Sequence, residues 1–331
     1  MDSNTKIAVI GGGSWATAIV KMLSENHDNI SWWMRNQDTI DHIKEYGNNP
    51  NYISAAELFP SKLTISNNIN KIVEGADCII LAVPSAFIRT TLKQLEKPIK
   101  SKFVVSAIKG IVAEKNRIIG EYLHNKYEIP FQNIGVLTGP CHAEEVALER
   151  LSYLTVACED MDKAQWFADQ ISCRYIKTNV SEDVFGTEIS AVLKNVIAIA
   201  SGICHSLGYG DNFQSVLASN AIREIKRFVD GVHPIERDIK ESAYLGDLLV
   251  TMYSQFSRNR TFGNMVGKGY SVKSAQLEMN MVAEGYYAVK CIKELNEEYK
   301  IDMPITDAVY NILYQRISPV MEMRILADKL N

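Results

Sequence analysis

IAVIGGGSWATA, residues 7–18, decides how this sequence folds. Four apolar residues, Ile7 to Ile10, suit a short strand buried on both faces. Three glycines follow, and then WATAIVKMLSEN continues with helical spacing. The stretch fits G-x-G-x-x-A, with Gly11 for the tight turn and Gly13 for close approach of the backbone to a pyrophosphate. Ala16 stands where a third glycine is common, at the helix–strand contact. A helix starting here offers unpaired N–H groups to an anion. A glycine turn can also serve folding alone. Its place between a first strand and a first helix favours dinucleotide binding.

The same alternation continues outward from this loop. ISWWM (30–34), CIILAV (78–83), FVVSAI (103–108), IGVL (134–137) and YLTVAC (153–158) read as buried strands, with helical segments between most of them. This is the pattern of a doubly wound α/β domain on a mainly parallel sheet. After about residue 183 the strand signal fades, and helical patterns cover 187–206, 212–230, 241–256, 272–298 and 302–317. At 331 residues the chain exceeds what one hydrophobic core usually holds. We therefore expect a Rossmann-type dinucleotide-binding domain over 1–183 and an all-helical substrate and catalytic domain over 184–331.

Composition narrows the function. The chain is 47% hydrophobic and 22% charged, as in ordinary globular proteins. A net charge of -4 argues against general binding to nucleic acid or to an anionic membrane. The six cysteines are scattered, with no CxxC pair and no histidine at zinc-site spacing, so we expect reduced thiols and no metal. Only MDSNTK precedes the first apolar run, which ends in GGG, unlike a signal peptide. No apolar stretch reads as long enough to span a bilayer. The expectation is a soluble cytoplasmic protein without membrane insertion.

One lysine stands out. In EISAVLKNVIAIASG (188–202), Lys194 lies among apolar and small residues, and burying an unpaired ammonium costs several kcal/mol. On a helix it shares a stripe with Thr187, Ser190, Ala191, Ala198, Ser201 and Gly202, which leaves room for a ligand. A lysine snorkelling to solvent is the alternative. In LGDLLVTMYSQFSRNRTFG, Asp247 follows a glycine, and Ser257, Arg258, Asn259 and Arg260 cluster ahead of an aromatic-glycine turn. Alone, that cluster fits an anion site and a solvated basic loop equally. VSAIKGI puts Lys109 just past a strand's carboxyl end, where doubly wound sheets bind ligands. TGPCHAEEVA also follows a strand and leads into a helix N-terminus. Arg35, at the end of the second strand, stands where an acidic residue would hold an NAD ribose. A guanidinium there suits the 2′-phosphate of NADP, although a solvent-exposed arginine would read the same.

Over nearly its whole length the chain resembles the NAD(P)-dependent glycerol-3-phosphate dehydrogenases of the bacterial biosynthetic type. GGGSWATA, SAIKGI, TGPCHAEEVA, AVLKNVIAIASGI, LGDLLVT, SRNRTFG, VAEG and DMPITDAVY occur in family order, and AVLKNVIAIA with SRNRTFG is highly specific. The resemblance implies a catalytic role for Lys194. It implies substrate contacts at Lys109, Gly139, Cys141, Lys194, Asp247, Ser257, Arg258 and Asn259. Beside Gly11 and Gly13, it implies cofactor contacts at Ser14, Trp15, Arg35, Lys109, Ala143, Arg258, Val282 and Glu284. The implied reaction is reduction of dihydroxyacetone phosphate to sn-glycerol 3-phosphate by NADP(H) or NAD(H), feeding phospholipid synthesis, in a homodimer.

The chain departs from the family pattern at three places. Cys141-His142 stands where Ser-Phe is common, Asn220 where an arginine is frequent, and NYISAAELFP where a tyrosine-leucine-proline-glycine turn is usual. Two rival readings remain at this stage. A hydroxy-acid dehydrogenase would need a carboxylate clamp in place of SRNR, and a non-catalytic nicotinamide sensor would have no need of a buried lysine.

Overall fold

The computed structural model describes residues 1, 5–112, 117–279 and 282–331. The chain forms two compact units: Met1–Ile108 with Ile119–Val184, and Lys109–Ile118 with Phe185–Asn331. The second differs from a linear division at 183 in one segment. Residues Lys109–Ile118 join the helical unit through a small antiparallel hairpin whose Ile111 and Ile118 lie in its core.

The strands are β1 (Ile7–Ile10), β2 (Ile30–Trp33), β3 (Leu63–Ser66), β4 (Cys78–Leu81), β5 (Phe103–Ser106), the hairpin pair β6 (Ile111–Val112) and β7 (Arg117–Ile118), then β8 (Ile134–Thr138), β9 (Ser152–Ala157) and β10 (Ile176–Ser181). In the first unit they order as β10-β9-β8-β5-β4-β1-β2-β3. Every neighbouring pair is parallel except β8 with β9. From β3 to β8 this is the doubly wound dinucleotide-binding order, and the direction of winding reverses between β1 and β4. The expected α/β class with a mainly parallel sheet is what forms. Besides the hairpin strands β6 and β7, two strands of this sheet went unanticipated, β3 and β10. Both are edge strands with polar, half-exposed residues, so neither carries the unbroken apolar run that marks a central strand.

The second unit is built around one helix, Val184–Ser206, whose apolar residues on all sides enter its core. Contrary to the sequence reading, this helix is long and apolar enough by composition to cross a membrane. Of its apolar 18-residue window, 89% is instead buried within the protein, as in a core helix. The pattern over 272–298 forms two helices, Val272–Glu278 and Glu284–Tyr299, and that over 241–256 forms a π-helical turn, Ser242–Gly246, running into Asp247–Tyr253. SRNRTFG is not a loop ending in a turn. Ser257 caps the helix Arg258–Gly267, accepting from the Arg260 N–H at 3.3 Å, and Phe262 and Gly263 lie inside it.

Gly263 is needed there for close packing. A Cβ on it would stand 2.1 Å from the Ile199 carbonyl oxygen, and one on Gly202 would stand 2.0 Å from that of Arg260. The two helices therefore touch backbone to backbone. A Cβ on Gly285 would similarly come within 2.5 Å of the Asn195 carbonyl oxygen. Three bare positions thus bring the starts of two helices, at Arg258 and Glu284, close to the middle of the Lys194 helix.

Candidate active site

In the second unit, Lys194 and Asp247 form an ion pair, with each side chain no more than 3% exposed. The Lys109 ammonium lies 3.9 Å from the same Asp247 carboxylate. Asp247 reaches this point from the first turn of its helix, immediately after the π-helical turn. The Asp247 carbonyl accepts the Thr251 hydroxyl at 2.6 Å. Burial pushes the Lys194 ammonium down to about 7, Asp247 opposes this, and the second ammonium of Lys109 adds to it. Both ammonium groups lie against the one Asp247 carboxylate, with Lys194 itself buried. Such a cluster can receive an oxyanion and can exchange a proton near neutral pH.

The stripe of small residues beside Lys194 has two uses. Its far end is not ligand space. Gly202 meets the Arg260 backbone, and the Ser201 hydroxyl is tied to Gln214 Oε1 at 2.9 Å and to the Met252 carbonyl at 3.0 Å. Small size there serves helix packing, and only the end nearer Lys194 remains for chemistry.

An amide relay holds the surroundings of the lysine. Asn195 Nδ2 donates to the Lys109 carbonyl at 2.8 Å, and Asn259 Nδ2 donates to Asn195 Oδ1 at 2.9 Å. The Gly285 N–H donates to Asn259 Oδ1 at 2.9 Å. Sequence reading missed Asn195, although an isolated asparagine after the lysine in an apolar helix was a usable signal. Asn259 is buried, with both ends of its amide bonded to protein. Its geometry is that of a brace, whereas the resemblance implies a substrate contact. Ser257 is buried with its oxygen used in capping, and Arg258 is exposed at the first position of its helix. Glu284 begins the helix that Gly285 anchors, and Val282 lies just before it, half-buried.

The remaining candidates lie in the first unit. Gly11 has φ +142°, and a Cβ on it would stand 2.3 Å from the Ala82 carbonyl oxygen, so only glycine serves. Gly13 differs: a Cβ there would meet nothing within 4 Å. Its bareness leaves the backbone approachable from open space, as a pyrophosphate requires. The helix Ser14–Leu23 starts at this point, with Ser14 buried and Trp15 half-buried. The loop thus fits a dinucleotide. Arg35 is exposed just beyond β2, before the Asn36 cap of the next helix. Gly139, with φ +118°, is required because a Cβ would come within 2.8 Å of the Tyr153 carbonyl oxygen on β9. Cys141 and Ala143 are buried where a five-residue helix begins. Among the described residues, no cluster of histidine, cysteine or carboxylate could hold a metal.

Comparison with known proteins identifies the chain. Residues 6–164 match the family model for the NAD-dependent glycerol-3-phosphate dehydrogenase N-terminus, and residues 183–324 match that for its C-terminus. The chain belongs to the NAD-dependent glycerol-3-phosphate dehydrogenase family. A glycerol-3-phosphate dehydrogenase [NAD(P)+] of Staphylococcus carnosus is 34% identical over 316 residues, covering 95% of each chain. One from Bacillus pumilus is 37% identical over 94% of this chain and 90% of its own. The crystal structure of glycerol-3-phosphate dehydrogenase from Coxiella burnetii superposes with a TM-score of 0.89 at 25% identity, covering 98% of both. Family membership and fold agree with the resemblance read from the motifs.

Proposed function

We propose that this chain catalyses the reversible, NAD(P)H-dependent reduction of dihydroxyacetone phosphate to sn-glycerol 3-phosphate, supplying glycerophospholipid synthesis. The observation that carries this reading is the buried Lys194–Asp247 pair with Lys109 beside it. Reducing a ketone places negative charge on its oxygen, and that oxygen then needs a proton. The reduced nicotinamide supplies the hydride. The Lys194 ammonium polarises the carbonyl and delivers the proton, and in the oxidative direction the neutral amine takes it back. Asp247 orients the ammonium and offsets part of its desolvation.

The phosphate is read separately from the carbonyl. Arg258, at the start of a ten-residue helix, supplies a guanidinium at the positive end of that helix's dipole, a good match for a phosphate dianion. Binding energy gained there is spent on holding the ketone against Lys194. A hydroxy acid would want a carboxylate clamp near the lysine and would leave this helix start unused. Arg35 favours NADPH at least as much as NADH. The family resemblance adds a homodimer in the cytoplasm, which sedimentation of the purified protein and fractionation of cells would check.

The test is oxidation of NADPH and NADH by the purified protein with dihydroxyacetone phosphate, pyruvate or buffer alone. Turnover with the phosphorylated ketone only is expected. Turnover with pyruvate, or with neither, would overturn the proposal.

A further inference from the structure

Three consecutive carbonyl groups of the glycine loop are held by donors from three different parts of the first unit. Trp32 Nε1, on β2, donates to the Gly11 carbonyl at 2.6 Å. Asn49 Nδ2, from the loop after the second helix, donates to the Gly12 carbonyl at 3.2 Å. The Gly13 carbonyl accepts from both the N–H and the hydroxyl of Thr17, each at 3.0 Å. Asn49 joins the set together, because its Nδ2 also lies 2.8 Å from Thr17 Oγ1. Its own Oδ1 accepts the Asn51 N–H at 3.1 Å, which fixes the amide's orientation. Both Asn49 and Trp32 are fully buried.

The consequence follows from the planarity of the peptide bond. None of the described peptide bonds is cis. In a trans peptide the C=O and the next N–H point in opposite directions. Holding the carbonyls of Gly11 and Gly12 on the protein side therefore turns the N–H groups of Gly12 and Gly13 the other way. Successive N–H groups facing one way form part of an anion site, and a Cβ on Gly13 would meet nothing within 4 Å.

We propose that Asn49 is a positioning residue for the dinucleotide: with Trp32 and Thr17 it locks the glycine-loop peptide planes so that their N–H groups face the pyrophosphate. The inference rests on the dinucleotide reading of this loop. The departure from the family's usual turn, NYISAAELFP, begins two residues after Asn49 and so leaves this amide in place. What the loop contributes is the buried asparagine amide, not the turn that follows it. Ile53 in that turn takes a φ of 44°, unusual for a β-branched residue.

Two substitutions test it. Asn49→Asp keeps the shape and sets a carboxylate oxygen against the Gly12 carbonyl. Trp32→Phe keeps an aromatic ring and removes the donor to Gly11. Binding of NADPH, NADH and ADP-ribose is measured by calorimetry, and thermal melting is recorded alongside. Each variant should bind all three ligands about tenfold more weakly and to the same degree, since the pyrophosphate is common to them. In steady-state assays the loss should fall in KM for the cofactor and be recovered at saturating cofactor. If Asn49→Asp does not fold, Trp32→Phe decides alone. Unchanged ADP-ribose affinity in the folded variants, or a kcat loss that saturation does not recover, would overturn the inference. Should the wild type bind ADP-ribose yet leave dihydroxyacetone phosphate unreduced, the catalytic proposal fails and this one stands.

Discussion

Two buried charges in the second unit, Lys194 and Glu224, are set up in opposite ways. Glu224 is fully buried and accepts from the Ile305 N–H at 2.7 Å, the Thr306 N–H at 2.9 Å and the Thr306 hydroxyl at 2.7 Å. It caps the helix Pro304–Leu313, whose first residue is a proline with no N–H to satisfy. Burial pushes its carboxyl up to about 7, while those three hydrogen bonds pull it back. All of its partners are protein donors on a rigid backbone. Lys194 instead faces a carboxylate that a second ammonium also approaches, and burial still holds its pKa down to about 7. A buried charge saturated by its own fold holds structure. One whose charged form is disfavoured by burial and a like neighbour is fitted to exchange a proton.

Breaking each partner set should therefore have different consequences. Lys194→Ala removes the proton donor and should lower kcat by about a hundredfold or more, with cofactor affinity nearly intact. Because the substitution also breaks a buried ion pair and leaves the Asp247 carboxylate against Lys109 at 3.9 Å, the melting temperature should fall as well. Near wild-type turnover in the purified variant would take the lysine out of the mechanism. The pH profile sharpens the point. Reduction needs the ammonium, so kcat/KM for dihydroxyacetone phosphate should fall as pH rises through about 7, the value to which burial lowers Lys194. Oxidation of glycerol 3-phosphate needs the free amine and should rise over the same range. A profile flat for both directions would break the assignment.

Glu224→Ala should cost stability alone. Three buried donors lose their acceptor, and stability should drop by about 3 kcal/mol in urea denaturation. The fraction that stays folded should keep its kcat. If stability holds and activity falls, Glu224 is not the structural member of the pair.

Arg258→Ala probes the proposed phosphate side of the site. Charge-assisted bonds to phosphate are worth about 2 kcal/mol, so KM for dihydroxyacetone phosphate should rise about thirtyfold. Weak turnover of unphosphorylated dihydroxyacetone should be spared. Equal losses on both substrates would assign Arg258 to the cofactor or the fold.

The sequence made this comparison half visible. Lys194 was legible because a lysine in an unbroken apolar helix conflicts with solvation, and such conflicts point to function. Glu224 was not, since its helix is strongly amphipathic and a glutamate there looks solvated. What buries it is the start of a helix some eighty residues onward, a contact no local pattern reports. The central strands declared themselves through apolar runs, whereas the edge strands β3 and β10 were hidden by their polar composition. SRNRTFG was read as a turn because Gly263 is a poor helix former. Its glycine is fixed by backbone contact with Ile199, again a tertiary cause. Asn49 left little trace, because in a polar loop a buried asparagine and an exposed one look alike in a sequence.

The smallest expected effect concerns Arg35, the one cofactor candidate that is both charged and exposed at a strand end. No Asp or Glu lies within two residues of it, so nothing there repels a 2′-phosphate. Its guanidinium is already in solvent, so pairing with a phosphate gains no help from a dry environment, and an exposed ion pair gives about 1 kcal/mol. Arg35→Ala should therefore weaken NADPH about fivefold and leave NADH within about twofold, as read by fluorescence titration of both reduced cofactors. This selectivity also separates Arg35 from Asn49, whose loss should weaken the two cofactors alike because it acts on their shared pyrophosphate. An Arg35→Ala variant that lost both equally would place the arginine on the adenine or the fold, and a wild type preferring NADH would show that the guanidinium does not read the phosphate at all.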